Sequence, residues 1–327
     1  MEININRTFS LMNAGLALLR GAGQVMFQGN ALTGFFFLLG IFWGAYESDT
    51  PAVAWGAVVG LLSSTLAGMM LREPANEGDE GLWGFNGILV GCAFPTFLAN
   101  TPLMWLALIF SAMLTTWARR GFNHVMKPWK TNSFTFPFVF ISWIFLFASR
   151  MLKGMPPEYL AFPELSAHLS SAVDLTPGSL MLYWLKGISQ VFLINSWIAG
   201  LFFLVGLYLC NRWAAMWAAI GSAMALVLAL LYGGAGSSIT DGLYGFSPVL
   251  TAIALGCTFY QPCWRSRLWC LMGIVATFFI QAGMDALMLP FGVPTFTAPF
   301  CIATWLFLLP LYQFDEKVPD HSHWHKS

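Results

Sequence analysis

Long apolar stretches alternate with shorter, polar-containing stretches along the whole chain. Those long enough, or nearly long enough, to cross a bilayer lie at 31–47, 52–71, 102–118 and 135–149 in the first half, and at 197–211, 213–232, 268–284 and 298–312 in the second. This pattern predicts an all-α polytopic membrane protein.

Three pairs of shorter segments lie between these stretches. They are at 9–28 and 175–194, at 84–98 and 245–259, and at 120–134 and 282–296. The last pair is too short to cross a bilayer and too polar to face lipid. Irregular backbone at membrane depth occurs only where it is buried in protein or lines a cavity. We therefore predict that both segments of this pair are re-entrant half-helices, each leading into a full span at Thr135 or Thr297.

Three motifs of the first half recur in the second half. The matches join Leu19–Val25 to Leu185–Val191, Gly81–Phe85 to Gly242–Phe246, and Gly121–Phe138 to Gly283–Phe300, at offsets of 166, 161 and 162 residues. Such similarity indicates two copies of one membrane unit, with a substrate site at their interface. About five spans plus one half-span per copy is an odd number of crossings, which favours inverted repeats.

The duplication divides the chain into four parts. We expect a first membrane repeat at 1–150, a surface segment at 151–176, a second membrane repeat at 177–313 and a soluble C-terminal tail at 314–327. The segment between the repeats is polar and contains prolines, which is typical of a surface connection.

The composition supports a membrane protein and excludes several other classes. Apolar residues make up 57% of the chain and charged residues 9%, against roughly 25% charged residues in soluble domains. A net charge of zero argues against nucleic acid as a partner. The six cysteines stand singly, so neither a metal site nor a disulfide framework is indicated. We find no nucleophile or metal cluster that would make the chain an enzyme, and we expect no cofactor.

Glutamine and threonine recur at equivalent positions in the apolar segments. Gln24 and Gln190 each bring an amide into hydrocarbon, where an unpaired polar group costs several kcal/mol. They serve either as helix-packing hydrogen bonds or as polar contacts at the two mouths of a pore, and their duplication favours the pore. Thr135 and Thr297 each stand at a helix start, beside carbonyl groups without helical partners. We expect their hydroxyls and these carbonyls to form two columns of acceptors that meet near the bilayer midplane.

Aromatic residues recur beside the glycine-rich turns. Phe85 and Phe246 are equivalent, and if they face each other across the repeat axis they form a flat apolar slot. Leu89 and Leu250 follow one helical turn later on the same face. They are candidate co-liners of this slot, although single leucines more often face lipid or the core.

The charged residues restrict what such a path could carry. Asp285 is an intramembrane carboxylate, but its counterpart is Asn123, so no symmetric acidic pair or ring for cations exists. His124 is the only histidine near the core and its counterpart is Ala286, so paired pore histidines are missing. A neutral, flat, donor-rich molecule fits best. The alternative is an ion-coupled secondary transporter of a small neutral solute on the same inverted-repeat scaffold.

At these positions the chain resembles the urea transporter family, in its bacterial type. The family signature LPxxTxPF is close to Val293–Phe300, and its first-half twin Asn132–Phe138 lacks the leading proline. The stretches Gly23–Phe27 and Trp83–Gly91 are also similar to the family. The resemblance extends from about residue 15 to residue 312.

The resemblance implies a passive channel for urea and assigns its lining residues. It implies a homotrimer in the cell inner (plasma) membrane, embedded in lipid, in which urea passes in single file through a phenylalanine-walled slot. The substrate-binding residues are then Gln24, Val25, Phe27, Phe85, Leu89, Thr135, Gln190, Val191, Leu193, Phe246, Leu250 and Thr297.

Overall fold

The computed structural model describes residues 11–70, 74–163, 165 and 172–312, and these residues contain helices but no strand. The α-helices are α1 (Leu11–Gln24), α2 (Ala31–Glu47), α3 (Pro51–Met70), α4 (Ala75–Asp79), α5 (Phe85–Phe97), α6 (Pro102–Met126), α7 (Phe136–Ser149), α8 (Pro177–Ser189), α9 (Trp197–Cys210), α10 (Arg212–Leu231), α11 (Gly236–Thr240), α12 (Phe246–Ile253), α13 (Trp264–Met288) and α14 (Ala298–Leu308). The predicted apolar stretches all coincide with helices. The predicted C-terminal tail at 314–327 and part of the segment 151–176 lie outside the described residues.

The helices begin where the sequence supplies capping groups. The Asn30 side chain accepts hydrogen bonds from the first backbone N–H groups of α2, and Asn211 does the same for α10. Thr101 and Thr176 cap α6 and α8, and each is followed by a proline in the first turn. Such residues pair N–H groups that have no partner within the helix, and proline at the first helical position removes one of those N–H groups.

The chain is a multi-pass membrane protein. Four helices among the described residues are long and apolar enough to span a bilayer. They are α3 and α10, and α6 and α13 when the 3₁₀ turns that follow them are included. The helical segments Pro177–Phe192 and Trp197–Cys210 form a pair bent by 73°. Large apolar side chains such as Leu106, Phe110 and Trp117 are exposed along α6, where lipid would cover them.

The order of elements and their local geometry recur in the two halves. The helices α3 and α10 both have 20 residues, and α6 and α13 both have 25. Left-handed backbone occurs at four matched pairs of positions. The pairs are Phe27 and Leu193, Gly81 and Gly242, Lys130 and Gly292, and Phe134 and Phe296.

The short helix α5 packs against α3 through glycine-to-glycine contacts. A Cβ at Gly56 would lie 2.2 Å from the Gly91 carbonyl oxygen, and one at Gly60 would lie 2.1 Å from that of Gly87. Small residues at such spacing let two helix backbones approach closely in a membrane. This contact encloses α5, whose residues are buried from Phe85 to Pro95, and it fixes the position of Phe85.

The prediction of re-entrant half-helices at 120–134 and 282–296 is wrong in its placement. Residues 120–126 are the last turns of α6, and residues 282–288 are the last turns of α13. Pro128 and Pro290 lie in 3₁₀ turns directly after these helices. The prolines stand after Met126 and Met288, the last residues of these helices, so the polar residues before them belong to the helices. The short, buried helices are α5 and α12.

Candidate functional site

Two cavities lie in the interior of the protein, one mainly in each half. Cavity 1 has a volume of about 330 Å³ and is lined by Gln24, Val25, Phe27, Gly29, Glu80, Leu82, Phe85, Arg119, Asn123, Asn132, Ser133, Phe134, Thr135, Thr258 and Phe259. Cavity 2 has a volume of about 560 Å³ and is lined by Phe97, Phe138, Gln190, Val191, Leu193, Ala235, Ser238, Leu243, Tyr244, Phe246, Gln281, Ala282, Asp285, Ala286, Leu289, Pro294, Thr295, Phe296 and Thr297. Each cavity is completed by residues from the other half.

Two threonine hydroxyls join the cavities. The Oγ1 atoms of Thr135 and Thr297 are 2.6 Å apart, and Thr135 lines cavity 1 while Thr297 lines cavity 2. Each threonine precedes the first residue of its helix, yet neither side chain makes a capping hydrogen bond. Both residues are buried, at 3% exposure. The hydrogen bond between the two hydroxyls thus lies at the boundary between the cavities.

The two glutamines make equivalent hydrogen bonds at the cavity walls. Gln24 Nε2 donates to the Glu80 carbonyl oxygen at 2.9 Å, and Gln190 Nε2 donates to that of Asp241 at 2.8 Å. Each bond ties a helix end to the loop that precedes the buried short helix. The amide oxygen of each glutamine can still accept a hydrogen bond, because the bond to the loop uses only the amide nitrogen.

Phenylalanine rings form the apolar walls of both cavities. In cavity 1, the Phe259 ring lies 5.7 Å from Phe27 and 5.5 Å from Phe134, in edge-to-face arrangements. In cavity 2, the Phe296 ring lies 4.9 Å from Phe138 and 5.8 Å from Phe97. Phe134 and Phe296 have φ angles of 49° and 50°. This backbone conformation is uncommon outside glycine and is concentrated at functional sites.

The urea transporter family model matches residues 16–312 of this chain. The chain belongs to the urea transporter family. Urea transporter 1 of Ovis aries and that of Capra hircus are each 30% identical to it over 296 residues, which cover 89% of this chain and 76% of the relative. Urea transporter 1 of Rattus norvegicus is 29% identical over the same shares.

In this member of the urea transporter family, ten of the twelve predicted residues line the cavities. Gln24, Val25, Phe27, Phe85 and Thr135 line cavity 1, and Gln190, Val191, Leu193, Phe246 and Thr297 line cavity 2. Leu89 and Leu250 do not line either cavity and are fully buried, at 0% exposure. Leu89 lies one turn after Phe85 in α5, and Leu250 lies one turn after Phe246 in α12. Both side chains are covered by packing inside the protein.

Residues 132–134 and 294–296 were predicted as parts of the half-helices and not as lining residues. They follow the 3₁₀ turns after α6 and α13, are not helical, and line cavities 1 and 2. Trp143 Nε1 donates to the Pro294 carbonyl oxygen at 2.8 Å, and Trp305 Nε1 donates to that of Asn132 at 2.9 Å. In this urea transporter family member, each half thus donates a tryptophan hydrogen bond to the cavity-lining segment of the other half. The two tryptophans stand at equivalent positions, so the duplication itself could have identified them.

Arg119 is a further wall residue of cavity 1, and it was not among the residues predicted from the sequence. Its guanidinium makes an ion pair with the Glu77 carboxylate at 2.7 Å, and its Cζ lies 5.9 Å from the centroid of the Phe85 ring. The exposed fractions of the two charged side chains are only 5% and 10%. The position equivalent to Arg119 is Gln281, so comparison of the halves alone gave no signal for it.

Proposed function

We propose that this protein is a passive channel that carries urea across the membrane, from one cavity past the threonine pair to the other. The observation that carries the proposal is the contact between Thr135 and Thr297, which lies where the two cavities meet. The names of the relatives support urea as the solute.

The chemistry of the walls suits urea. The molecule is flat, with four N–H donors and one carbonyl, and each polar group left unpaired in a dry path costs roughly 1–3 kcal/mol. Hydroxyls, amide oxygens and backbone carbonyls, the last in the segments 132–134 and 294–296, supply acceptors. The phenylalanine walls contact its flat faces and supply no oxygen ligands to replace the water shell of a small hydrated ion such as Na⁺.

The proposed architecture is two inverted repeats, at 1–150 and 177–313, with the path at their interface. The reciprocal tryptophan bonds support it, because a two-fold axis makes each half contact the other through the same residues. We assign about five spans and one short buried helix to each repeat. We further propose a homotrimer in the inner membrane, which rests on the resemblance to bacterial members of the family.

Flux measurements on proteoliposomes test the transport mechanism. A passive channel should carry urea down its gradient without current, and collapse of Na⁺ and proton gradients should leave the rate unchanged. Uphill accumulation of urea driven by either gradient would instead support an ion-coupled transporter. Asp285 is the one carboxylate among the described residues that line cavity 2, and it would then be the residue to examine for coupling.

A further inference from the structure

The cavity-facing sides of α6 and α13 carry different charges. On α6, Arg119 and Asn123 lie one turn apart and line cavity 1. On α13 the equivalent residues Gln281 and Asp285 line cavity 2. The position of Glu77 in the first half corresponds to Ser238 in the second half. The second half therefore lacks the ion pair of the first and carries a carboxylate that the first lacks.

Cavity 1 already contains a guanidinium group that belongs to the chain. The Arg119 group lies over the Phe85 ring and is paired with Glu77, in the cation–π and carboxylate arrangement that suits this planar cation. Glu80 also lines this cavity. The arginine occupies the side of the Phe85 ring that an external cation would need, so cavity 1 is a poor site for a second guanidinium.

Cavity 2 has the aromatic and acidic parts of such a site, and the described residues around it supply no cation. Phe246 corresponds to Phe85 and lines the cavity together with Asp285. Among the described residues that line cavity 2 there is no lysine, arginine or histidine. Asp285 Oδ1 accepts a hydrogen bond from the Thr295 hydroxyl at 2.7 Å, and a carboxylate has capacity for further donors. Cavity 2 is also the larger of the two.

We propose that cavity 2 binds small planar cations of the guanidinium class, through the Asp285 carboxylate and the surrounding phenylalanine rings. Guanidinium has the flat shape of urea, but it carries a positive charge and only N–H donors. The walls of cavity 2 offer acceptors and aromatic faces to both molecules. The binding itself is independent of the proposed transport, whereas an effect of guanidinium on urea flux rests on it.

Calorimetry on the purified full-length protein tests the binding. We expect guanidinium chloride at low millimolar concentration to bind, and sodium or tetramethylammonium chloride at equal ionic strength not to bind. Asp285→Asn should weaken the binding about 10-fold or more, because a charge-assisted hydrogen bond is lost. The variant should fold, since the equivalent Asn123 accepts hydrogen bonds from Ser133 through its Oδ1 in the same way.

Two further variants separate this site from a general charge effect. Asp241→Asn removes the same charge near cavity 2 without changing a lining residue, and guanidinium binding should be unchanged. Gln281→Arg with Ser238→Glu copies the Arg119–Glu77 pair into cavity 2 and should abolish binding, because the cavity then supplies its own cation. Absence of binding to the parent protein, or equal binding to Asp285→Asn, would overturn the inference.

Urea flux in the presence of guanidinium separates this inference from the proposed function. We expect guanidinium to slow urea flux through the parent protein and not through Asp285→Asn. If guanidinium binds through Asp285 but urea flux is unaffected, the binding site stands and the proposed path through cavity 2 is wrong.

Discussion

At the scale of single residues, the threonine pair shows how duplication places identical groups at one point. Thr135 and Thr297 are the same residue at equivalent positions, and their hydroxyls meet at 2.6 Å. A hydroxyl can donate one hydrogen bond and accept others. In the proposed path, the pair can exchange its mutual hydrogen bond for hydrogen bonds to urea.

We predict that Thr135→Val and Thr297→Val each slow urea flux. The change keeps the side-chain shape and removes the hydroxyl, so flux should fall roughly 10-fold if about 1.4 kcal/mol is added to the barrier. Thr→Ser keeps the hydroxyl and should have a milder effect. Flux is measured by light scattering of proteoliposomes in a urea gradient.

Thr304→Val is the matched control for the threonine variants. Thr304 is fully buried in α14, lines neither cavity, and its hydroxyl has no hydrogen-bond partner among the described residues. Its loss should leave flux unchanged. Parental flux in both Thr135→Val and Thr297→Val, with normal assembly, would show that these two residues are structural and that the path is misplaced.

Two turn glycines have equivalent structural requirements in the two halves. Gly81 has a φ of +81°, and a Cβ there would lie 2.3 Å from the backbone nitrogen of Gly21. Gly242 has a φ of +71°, and a Cβ there would lie 2.4 Å from that of Gly187. At each position both the conformation and the close backbone contact require glycine.

We predict that Gly81→Ala and Gly242→Ala each destabilise the protein clearly. The left-handed conformation alone costs about 1–2 kcal/mol for a residue with a Cβ, and the overlap with backbone adds to it. Thermal melting in detergent should show the loss. Gly283→Ala is the control, because a Cβ there meets nothing within 4 Å and alanine favours a helix by up to about 1 kcal/mol. A Gly81→Ala protein as stable as the parent would contradict this account.

Among the residues predicted from the sequence, those found to line the cavities include three pairs that recur in both halves. The glutamine, phenylalanine and threonine pairs recur and line the cavities. Arg119 does not recur, and its role depends on contacts with Glu77 and Phe85 that lie 42 and 34 positions away in the chain. Leu89 and Leu250 also recur, but both are buried in the core and line neither cavity. Equivalence of position alone therefore does not show that a residue lines a cavity.

At the scale of helices, the length of the apolar stretches was enough to place most of the long elements. The stretch 31–47 coincides with α2, and 52–71 differs from α3 by one residue at each end. The ends of α6 and α13 were misplaced because their last turns are polar. That polarity reflects residues such as Asn123 and Asp285, which face the cavities from continuous helices. Hydropathy alone does not separate a polar helix face from a break in the helix.

The tryptophan bonds between the halves lead to a prediction about elements. Trp143→Phe and Trp305→Phe should each lower stability by roughly 1–3 kcal/mol, because the carbonyl group of Pro294 or Asn132 loses its donor. Urea flux should also fall, since these carbonyls belong to the segments that line the cavities. Thermal melting and flux assays measure the two effects.

The control for this prediction is Trp197→Phe, at an exposed position on α9. It makes the same chemical change away from both lining segments and should have little effect. If the control lowers stability as much as Trp143→Phe and Trp305→Phe do, the loss is one of indole packing rather than of the bonds between the halves.

At the scale of the whole molecule, the arrangement of the halves determines which face of the membrane each cavity opens to. Cavity 1 includes Thr258 and Phe259 from the second half, and cavity 2 includes Phe97 and Phe138 from the first. This mutual completion requires both halves for either cavity. If the two halves are related by an axis in the membrane plane, the two cavities open to opposite faces of the membrane.

Labelling of two equivalent positions tests the inverted arrangement. Asn76 on α4 and Ser237 on α11 are both exposed and are separated by the same offset as Gly81 and Gly242. We predict that Asn76→Cys and Ser237→Cys react with a membrane-impermeant maleimide from opposite sides of the membrane. Cys210→Ser serves as the background, because Cys210 is an exposed native thiol, and the background protein alone measures labelling of the remaining cysteines. Labelling of both positions from the same side would mean parallel repeats. The threonines would then not be related by an axis in the membrane plane, and the path from one face to the other would need a different explanation.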